Sequence, residues 1–425
     1  MSAQLKVAIV EGSSTRISQT PYPYLLNPTN ILPIFGGPGD LVLASLCQRK
    51  NLPYTVLEAD DSEHARTQGG SLDIHANSGQ LALKEAGLLD AFMCNSRIEG
   101  EAIKLLSLEG NVLFDRAGID RGKPEIDRTK LRGMLLGSLD PTHIKWGCKV
   151  TKVESTHELG YYDIHFANRE ILKGYNLVVG ADGAWSKVRP LVSDMKPFYS
   201  DICGLDIWTH DVDNRKPHLA ALIGQGAFFG FGDGHALLGQ RSGDGTIRVY
   251  ALVSRFESWS QECSIDWRDI RAANEELART LFRKWGDVPK AMLLDTDDDA
   301  TLRQLYMLPI GFQWDSRPGV TLLGDVAHLM KPFAGVGVNI LLTDALELAQ
   351  AVESVVVRGQ SRNDLNQVCC DMKTLTDVLQ DYEKKMFVRA KEAATETYGS
   401  LQVLFAENAE EQMVGIMKTM GAEDG

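Results

Sequence analysis

Asp325 opens the stretch with the most chemical content. Residues 322–349 read LLGDVAHLMKPFAGVGVNILLTDALELA. An apolar run at 320–323 predicts a strand that ends at Gly324-Asp325. From Val338 the spacing of Leu341, Leu342, Ala345, Leu348 and Ala349 predicts a helix. A strand, a turn of small residues and a helix N-terminus together make an anion site. The first N–H groups of the helix point outward, and its dipole favours negative charge there. Gly335 and Gly337 let a flat ligand approach the backbone closely. Asp325 can accept a hydrogen bond from a ribose hydroxyl.

Two further stretches suit phosphates. Arg128 and Arg132 are four residues apart and share a helix face. A planar guanidinium matches a phosphate bidentately, although such a pair can also be a plain surface feature. Upstream, Gly36-Gly37-Pro38-Gly39-Asp40 runs into a helix predicted at 41–50, and a strand at 54–57 ends on Glu58. This resembles a dinucleotide turn, in which glycines cradle a pyrophosphate and an acid about 20 residues on takes the ribose hydroxyls. Set against G-x-G-x-x-G, however, Phe35 and Asp40 stand at the first and third glycine positions.

Other chemistries find little support. The seven cysteines are scattered, and no C-x-x-C occurs. No nucleophile triad or metal cluster is evident. The acidic run at 295–299 lacks the spacing of a calcium loop and reads as a solvated connector. A net charge of -13 argues against nucleic acid and anionic membranes as general partners. No apolar run is long enough to span a bilayer, and residues 1–30 lack the pattern of a secretory leader. A reducing, cytoplasmic setting is the expectation.

The motifs converge on one family. The 322–349 stretch, with Asp325, His328, Pro332, Gly335, Gly337, Asn339 and Asp344 in step, resembles the GD motif of the class A FAD-dependent monooxygenases, the aromatic hydroxylases. Within that family the stretch resembles the tetracycline-inactivating branch. LVVGADGAWSKVR at 177–189 resembles the family's DG motif, RTQGGSLDIH at 66–75 its R-x-x-G-G-x-L-D segment, and EIDRTKLR at 125–132 its arginine helix. The resemblance implies an α/β fold: a Rossmann-like FAD-binding domain, an inserted β-sheet substrate domain and C-terminal helices. It assigns FAD contacts to Gly37, Gly39, Glu58, Arg66, Asp73, Arg128, Arg132, Asp182, Gly183, Gly324, Asp325, Pro332, Gly335, Gly337, Val338 and Asn339. Arg66 has an alternative reading as a solvated loop arginine. His328 is expected to fix the loop by a hydrogen bond. Lys331 stands where the family has proline, either beside the flavin or facing solvent.

The implied reaction uses NADPH or NADH, O2 and a flavin C4a-hydroperoxide to hydroxylate an aromatic or polycyclic small molecule. No side chain needs to be catalytic, because the cofactor does the hard step. Relatives of this size are often monomers. The alternatives are an FAD-dependent oxidase or dehydrogenase of the same fold, or a cofactor-poor binding protein with a damaged glycine turn. A halogenase would carry W-x-W-x-I-P, and no W-x-W occurs.

These residues need elements to position them. The expected division is 1–197 and 301–370 for the FAD-binding domain, 198–300 for the substrate domain and 371–425 for a helical segment that braces the two. A helix is predicted at 78–92, and strands at 202–208, 227–231, 236–240 and 246–253. Trp208, Phe228, Phe229, Phe231 and Tyr250 either line the pocket or fill the core, since strands alternate faces. The first strand, 6–10, should feed the glycine turn directly. Instead, a segment with four prolines intervenes. Joining VAIVEG to GPGDL restores a strand, turn and helix, so residues 13–36 read as an insertion, either an intron translated as coding sequence or a surface excursion between the strand and the turn. Sequencing the mature transcript checks the intron reading: the expected message lacks these codons, and one that retains them overturns it.

Overall fold

The computed structural model describes residues 3–4, 7–10, 37–65, 69–360 and 369–423. Residues 13–36 and Arg66 lie outside the described residues. At the centre is a parallel sheet of Val7–Val10, Leu177–Gly180 and Val320–Leu322, with Leu177–Gly180 in the middle. Leu177, Val178, Val320 and Leu322 are fully buried. Continuous apolar runs of this kind are what a parallel strand covered on both faces requires. The strand at 320–322 delivers Gly324 and Asp325 to the sheet's carboxyl end, where ligands sit in open α/β sheets.

Two helices pack together over this end, Pro38–Arg49 and Gly337–Gln360. They approach so closely that a Cβ on Gly39 would lie 2.3 Å from the Leu341 side chain. The predicted helix at 78–92 is two helices, Gly79–Glu85 and Leu89–Asn95. Gly87, at φ +74°, ends the first in the left-handed conformation that glycine supplies without strain.

A seven-stranded sheet forms the second layer, in the order Asp299–Met307, Phe198–Thr209, Ile247–Ser254, His235–Arg241, Ala227–Gly232, Ile103–Leu106, Val112–Arg116. The four strands expected between 198 and 254 are present. The sheet also recruits two strands from the first 197 residues and one that runs past residue 300, so it is not confined to 198–300. Strand alternation divides its side chains. Phe228, Leu205, Ile207 and Val249 pack outward with Leu277, Phe282 and Trp285. Phe231 and Leu252, with Phe229, Leu238 and Tyr250, face inward towards Phe333 and the C-terminal helices.

The acidic 295–299 run is a paired connector. Asp297 bonds Arg215 at 2.7 Å and Asp298 bonds Arg271 at 2.8 Å.

The 33-residue helix Met372–Leu404 ties these layers down. Its buried Glu383 accepts from Trp314 Nε1 at 3.0 Å, from Thr321 Oγ1 at 2.8 Å and from Ser316 Oγ. Tyr382 Oη donates to the Leu322 carbonyl at 3.1 Å. The brace therefore grips the strand that carries Asp325. Glu383→Ala should destabilise the protein by roughly 2–4 kcal/mol, because three donors lose a charged acceptor. Glu383→Gln should lose less. Urea unfolding checks this, and a loss for Glu383→Ala below about 0.5 kcal/mol would refute the bracing role.

Candidate functional site

Gly324 has φ +62°, and a Cβ there would lie 2.5 Å from Leu341 Cδ1. Only glycine allows the chain to turn at that point and present Asp325. The Asp325 side chain is open to solvent-sized space yet lies deep among protein atoms. That is the setting of a carboxylate on the wall of an internal cleft. Burial raises its pKa, while His328, Arg128 and Arg189 pull against the rise.

Arg128 opens the helix Arg128–Ser138. Burial lowers its pKa, and its charge interacts with Tyr250 and Arg248 of the seven-stranded sheet and with Asp325 of the loop. The cleft thus lies where the two layers meet. Arg132, one turn on, turns to a different end of the site. It donates to the Glu63 carbonyl at 2.7 Å, approaches Glu58 Oε2 at 3.5 Å and lies 5.8 Å from the centre of the Trp146 ring. The two arginines share a helix but not a set of partners.

The N-terminus of the 337–360 helix forms another wall. Gly335 sits at φ +68°, with the Asp73 carboxylate 4.0 Å from where its Cβ would be. Gly337 has no atom within 4 Å of that position, so the helix start is open. Pro332 begins a single turn, Pro332–Ala334, and Val338 packs on the core. Asn339 is buried and stitches the wall together. Its Nδ2 donates to the Asp73 carbonyl at 3.0 Å, and its Oδ1 accepts from the His75 N–H at 2.8 Å. Asp73 also pairs with His75 Nε2 at 2.8 Å.

At the glycine turn, Gly37 caps the Pro38–Arg49 helix and Pro38 stands at its first position. Asp40 is buried, and Gly39 beside it allows the close approach of Leu341 from the 337–360 helix. Asp182, beside Gly183 at φ +72°, is spent on its own turn: it accepts from Ser186 Oγ and the Lys187 N–H. Burial raises its pKa to about 6. Arg189, at the end of the same motif, is buried and joins the two loops. It donates to the Val326 carbonyl at 2.9 Å and the Ala184 carbonyl at 2.8 Å.

A family model described as an FAD binding domain matches residues 175–368. Monooxygenase penA of Penicillium thymicola is 30% identical over 432 residues, covering 91% of this chain and 98% of that protein. The chain belongs to the class A FAD-dependent monooxygenases. Among solved structures, Klebsiella pneumoniae HpxO complexed with FAD and uric acid shares the fold, with a TM-score of 0.68 at 17% identity over 92% of each chain. A salicylate hydroxylase substrate complex has a TM-score of 0.68 at 16% identity, over 92% of this chain and 94% of that one. The cleft between the helix start, Asp325 and Arg128 fits the cofactor that this monooxygenase family carries. It offers an open helix N-terminus, a loop without side-chain obstruction at Gly335 and Gly337, and charge of both signs.

The sequence reading missed a knot on the inner face of the sheet. Arg248 forks onto buried Asp206 with two bonds of 2.7 Å. It lies 4.6 Å from the Trp208 ring centre and 4.7 Å from that of Tyr250, and it donates to the Gly69 carbonyl at 3.1 Å. The strand parity of 206, 208, 248 and 250 was the available clue, once their shared face was known.

Lys331 corrects the solvent alternative: it is only 4% exposed. His328 is loop-fixing as expected, bonded to Asp344 at 2.6 Å. Burial lowers the His328 pKa, but Asp344 and Asp325 outweigh it and the net direction is up from 6.5. A raised imidazole pKa stabilises the fold fully below that ordinary value, and the stabilisation fades as pH rises through the folded value. Unfolding free energy should therefore fall as pH climbs above about 6.5, and His328→Asn should flatten that part of the profile. Burial also raises the Glu125 pKa to about 8; the slopes from Asp182 and Glu125 remain in both proteins, so the difference between two urea titrations reports His328 together with the carboxylates it acts on, Asp344 and Asp325. Parallel profiles would refute the assignment.

Proposed function

We propose that this monooxygenase uses NADPH or NADH and O2 to hydroxylate an aromatic or polycyclic small molecule. The observation that carries the reading is the inner face of the seven-stranded sheet, which meets the Asp325–Arg128 cleft. Phe229 is partly exposed on this face and is backed by Phe231, a core residue only 1% exposed, with ring centroids 6.1 Å apart. Leu238, Tyr250 and Phe333 extend the apolar surface. Flat apolar walls favour a flat substrate. The solved relatives point the same way: one holds uric acid and the other is named for salicylate.

In this proposal Asp325, Glu58 and Arg132 hold the ribose-bearing and phosphate parts of FAD. Arg128 and the open start of the 337–360 helix receive negative charge, and Gly335 and Gly337 admit the ring. Asp73 and Asn339 fix that wall. Asp182, Gly183 and Arg189 set the shape of the second loop. Bound FAD supplies the redox chemistry, passing two electrons from NAD(P)H to O2 so that one oxygen atom enters the substrate and the other leaves as water. The apolar inner face keeps bulk water away, which limits loss of the oxidising equivalents as hydrogen peroxide.

The test is direct. The purified chain should retain flavin absorbance through gel filtration, and Asp325→Ala should weaken FAD affinity by about tenfold or more, ~1.4 kcal/mol. Aromatic substrates should accelerate NAD(P)H consumption and yield a product heavier by one oxygen. A flavin-loaded protein that makes only hydrogen peroxide with every aromatic offered would overturn the hydroxylase reading in favour of an oxidase.

A further inference from the structure

A cavity of about 630 Å³ opens beside the cofactor loop, between the sheet edge and the Met372–Leu404 helix. Tyr199, Met307, Tyr398, Leu401 and Phe405 give it an aromatic and apolar side, Lys331 supplies a cation, and Asp201 lies on the same wall outside ion-pair reach of that cation. Leu401 and Phe405 also pack against the apolar cluster on the sheet's inner face, so the cavity borders the surface proposed to receive substrate. Its volume suits one small molecule.

Lys331 is the unexpected group. It immediately precedes Pro332 in the cofactor loop, yet it turns away into this cavity. Its Nζ donates to the Ser200 carbonyl at 3.3 Å and lies 5.5 Å from the Tyr398 ring centre. An ammonium carries three donors. Among the described residues, no carboxylate lies within ion-pair distance of it. Asp201 acts on it only through its field, and burial pulls the Lys331 pKa down. Burying an ammonium against apolar walls with one carbonyl partner is costly. The backbone beside it is also irregular. The pairing of Phe198–Thr209 with Asp299–Met307 shifts register between Tyr199 and Cys203, and Asp201 has φ +61°. Bulges and strained residues of this kind re-aim groups next to sites.

We propose that Lys331 anchors an anionic oxygen of the substrate, a carboxylate or an ionised enol or phenol, while the aromatic lining of the cavity holds its ring. The inference rests on the hydroxylase reading and narrows its substrate class to acidic aromatics. The anion completes the coordination of the buried ammonium and offsets its lost hydration. A neutral analogue leaves the ammonium short of a partner, so discrimination should be strong.

The test uses FAD-loaded full-length protein and two matched pairs: salicylate with salicylamide, and 1-naphthoate with 1-naphthamide. Calorimetry should find the anion bound at least tenfold more tightly than its amide in one pair or both. Lys331→Met should erase that preference while leaving the amide affinity within about twofold, and Lys331→Arg should keep most of it. Thermal melting and flavin retention in each variant show that the fold and cofactor site are intact. Equal affinities in both pairs, no binding by any of the four, or a preference that survives Lys331→Met would overturn the inference. The hydroxylase reading is scored separately, by substrate-stimulated NADPH oxidation and oxygen incorporation. An anion preference without oxygenation would sink that reading and leave the Lys331 site standing.

Discussion

The fully buried carboxylate of Asp344 holds the cofactor loop in place. It accepts from His328 Nε2 at 2.6 Å, from the Gly324 N–H at 3.2 Å and from Arg389 at 2.8 Å. Burial works against its charge, but His328 and Arg389 bring its pKa below the ordinary value. A buried anion in such a network is costly to strip of a partner, by about 3–5 kcal/mol. The three donors come from the strand end, the loop and the Met372–Leu404 helix. Satisfying one charge therefore fixes three elements relative to one another. Asp325 owes its position to this arrangement, since it stands between Gly324 and His328.

The opposite wall is held by the same kind of device with different chemistry. Asp206 is fully buried and is neutralised by the fork of Arg248, which Trp208 and Tyr250 sandwich. The Arg248 bond to the Gly69 carbonyl then links the sheet to the loop before Ser71–Asp73. A Cβ on Gly69 would fall 2.1 Å from the Trp208 ring, so this link needs a glycine. The cleft is thus enclosed by two buried ion pairs, one on each layer. Between them lies Arg128, whose charge interacts with Arg248 on one side and Asp325 on the other.

How much of this was legible in the sequence depends on whether an element is local. The Asp325 loop, the 337–360 helix and the four strands between 198 and 254 follow from short-range pattern and turn chemistry, and they stand within a few residues of expectation. His328 as a loop-fixing group was also readable, because its partner Asp344 belongs to the same contiguous motif, in the helix that follows the loop. What the sequence could not reveal were partners far apart in the chain. Lys331 meets Ser200, Arg189 meets Val326, and strands 103–106 and 112–116 join a sheet that otherwise begins near residue 198. Nothing in the spacing of those residues encodes the meeting. Likewise, the aromatic candidates could not be sorted until the sheet had two known faces, which send Phe228 outward and Phe229 inward.

The glycine turn shows why a motif mismatch need not be a structural one. Asp40 stands where the dinucleotide pattern asks for a third glycine so that helix and neighbour can approach. Here the tight approach involves Gly39 and Leu341 across the 38–49 and 337–360 helices. That contact is between two helices, whereas the third glycine of the pattern serves helix–strand packing, and Asp40 is buried within the first turn of its helix. A carboxylate in a helix's first turn is favoured by the dipole, yet a pyrophosphate competes for that same positive end. The positive charge needed to balance both must come from side chains. Arg132 at Glu58 and Arg128 at Asp325 each have a carboxylate neighbour, and the open start of the 337–360 helix adds a second dipole. In the proposed placement of FAD, the electrostatic cost of Asp40 falls on the phosphate half of the cofactor and not on the ring half, which Gly335, Gly337 and Asn339 would wall.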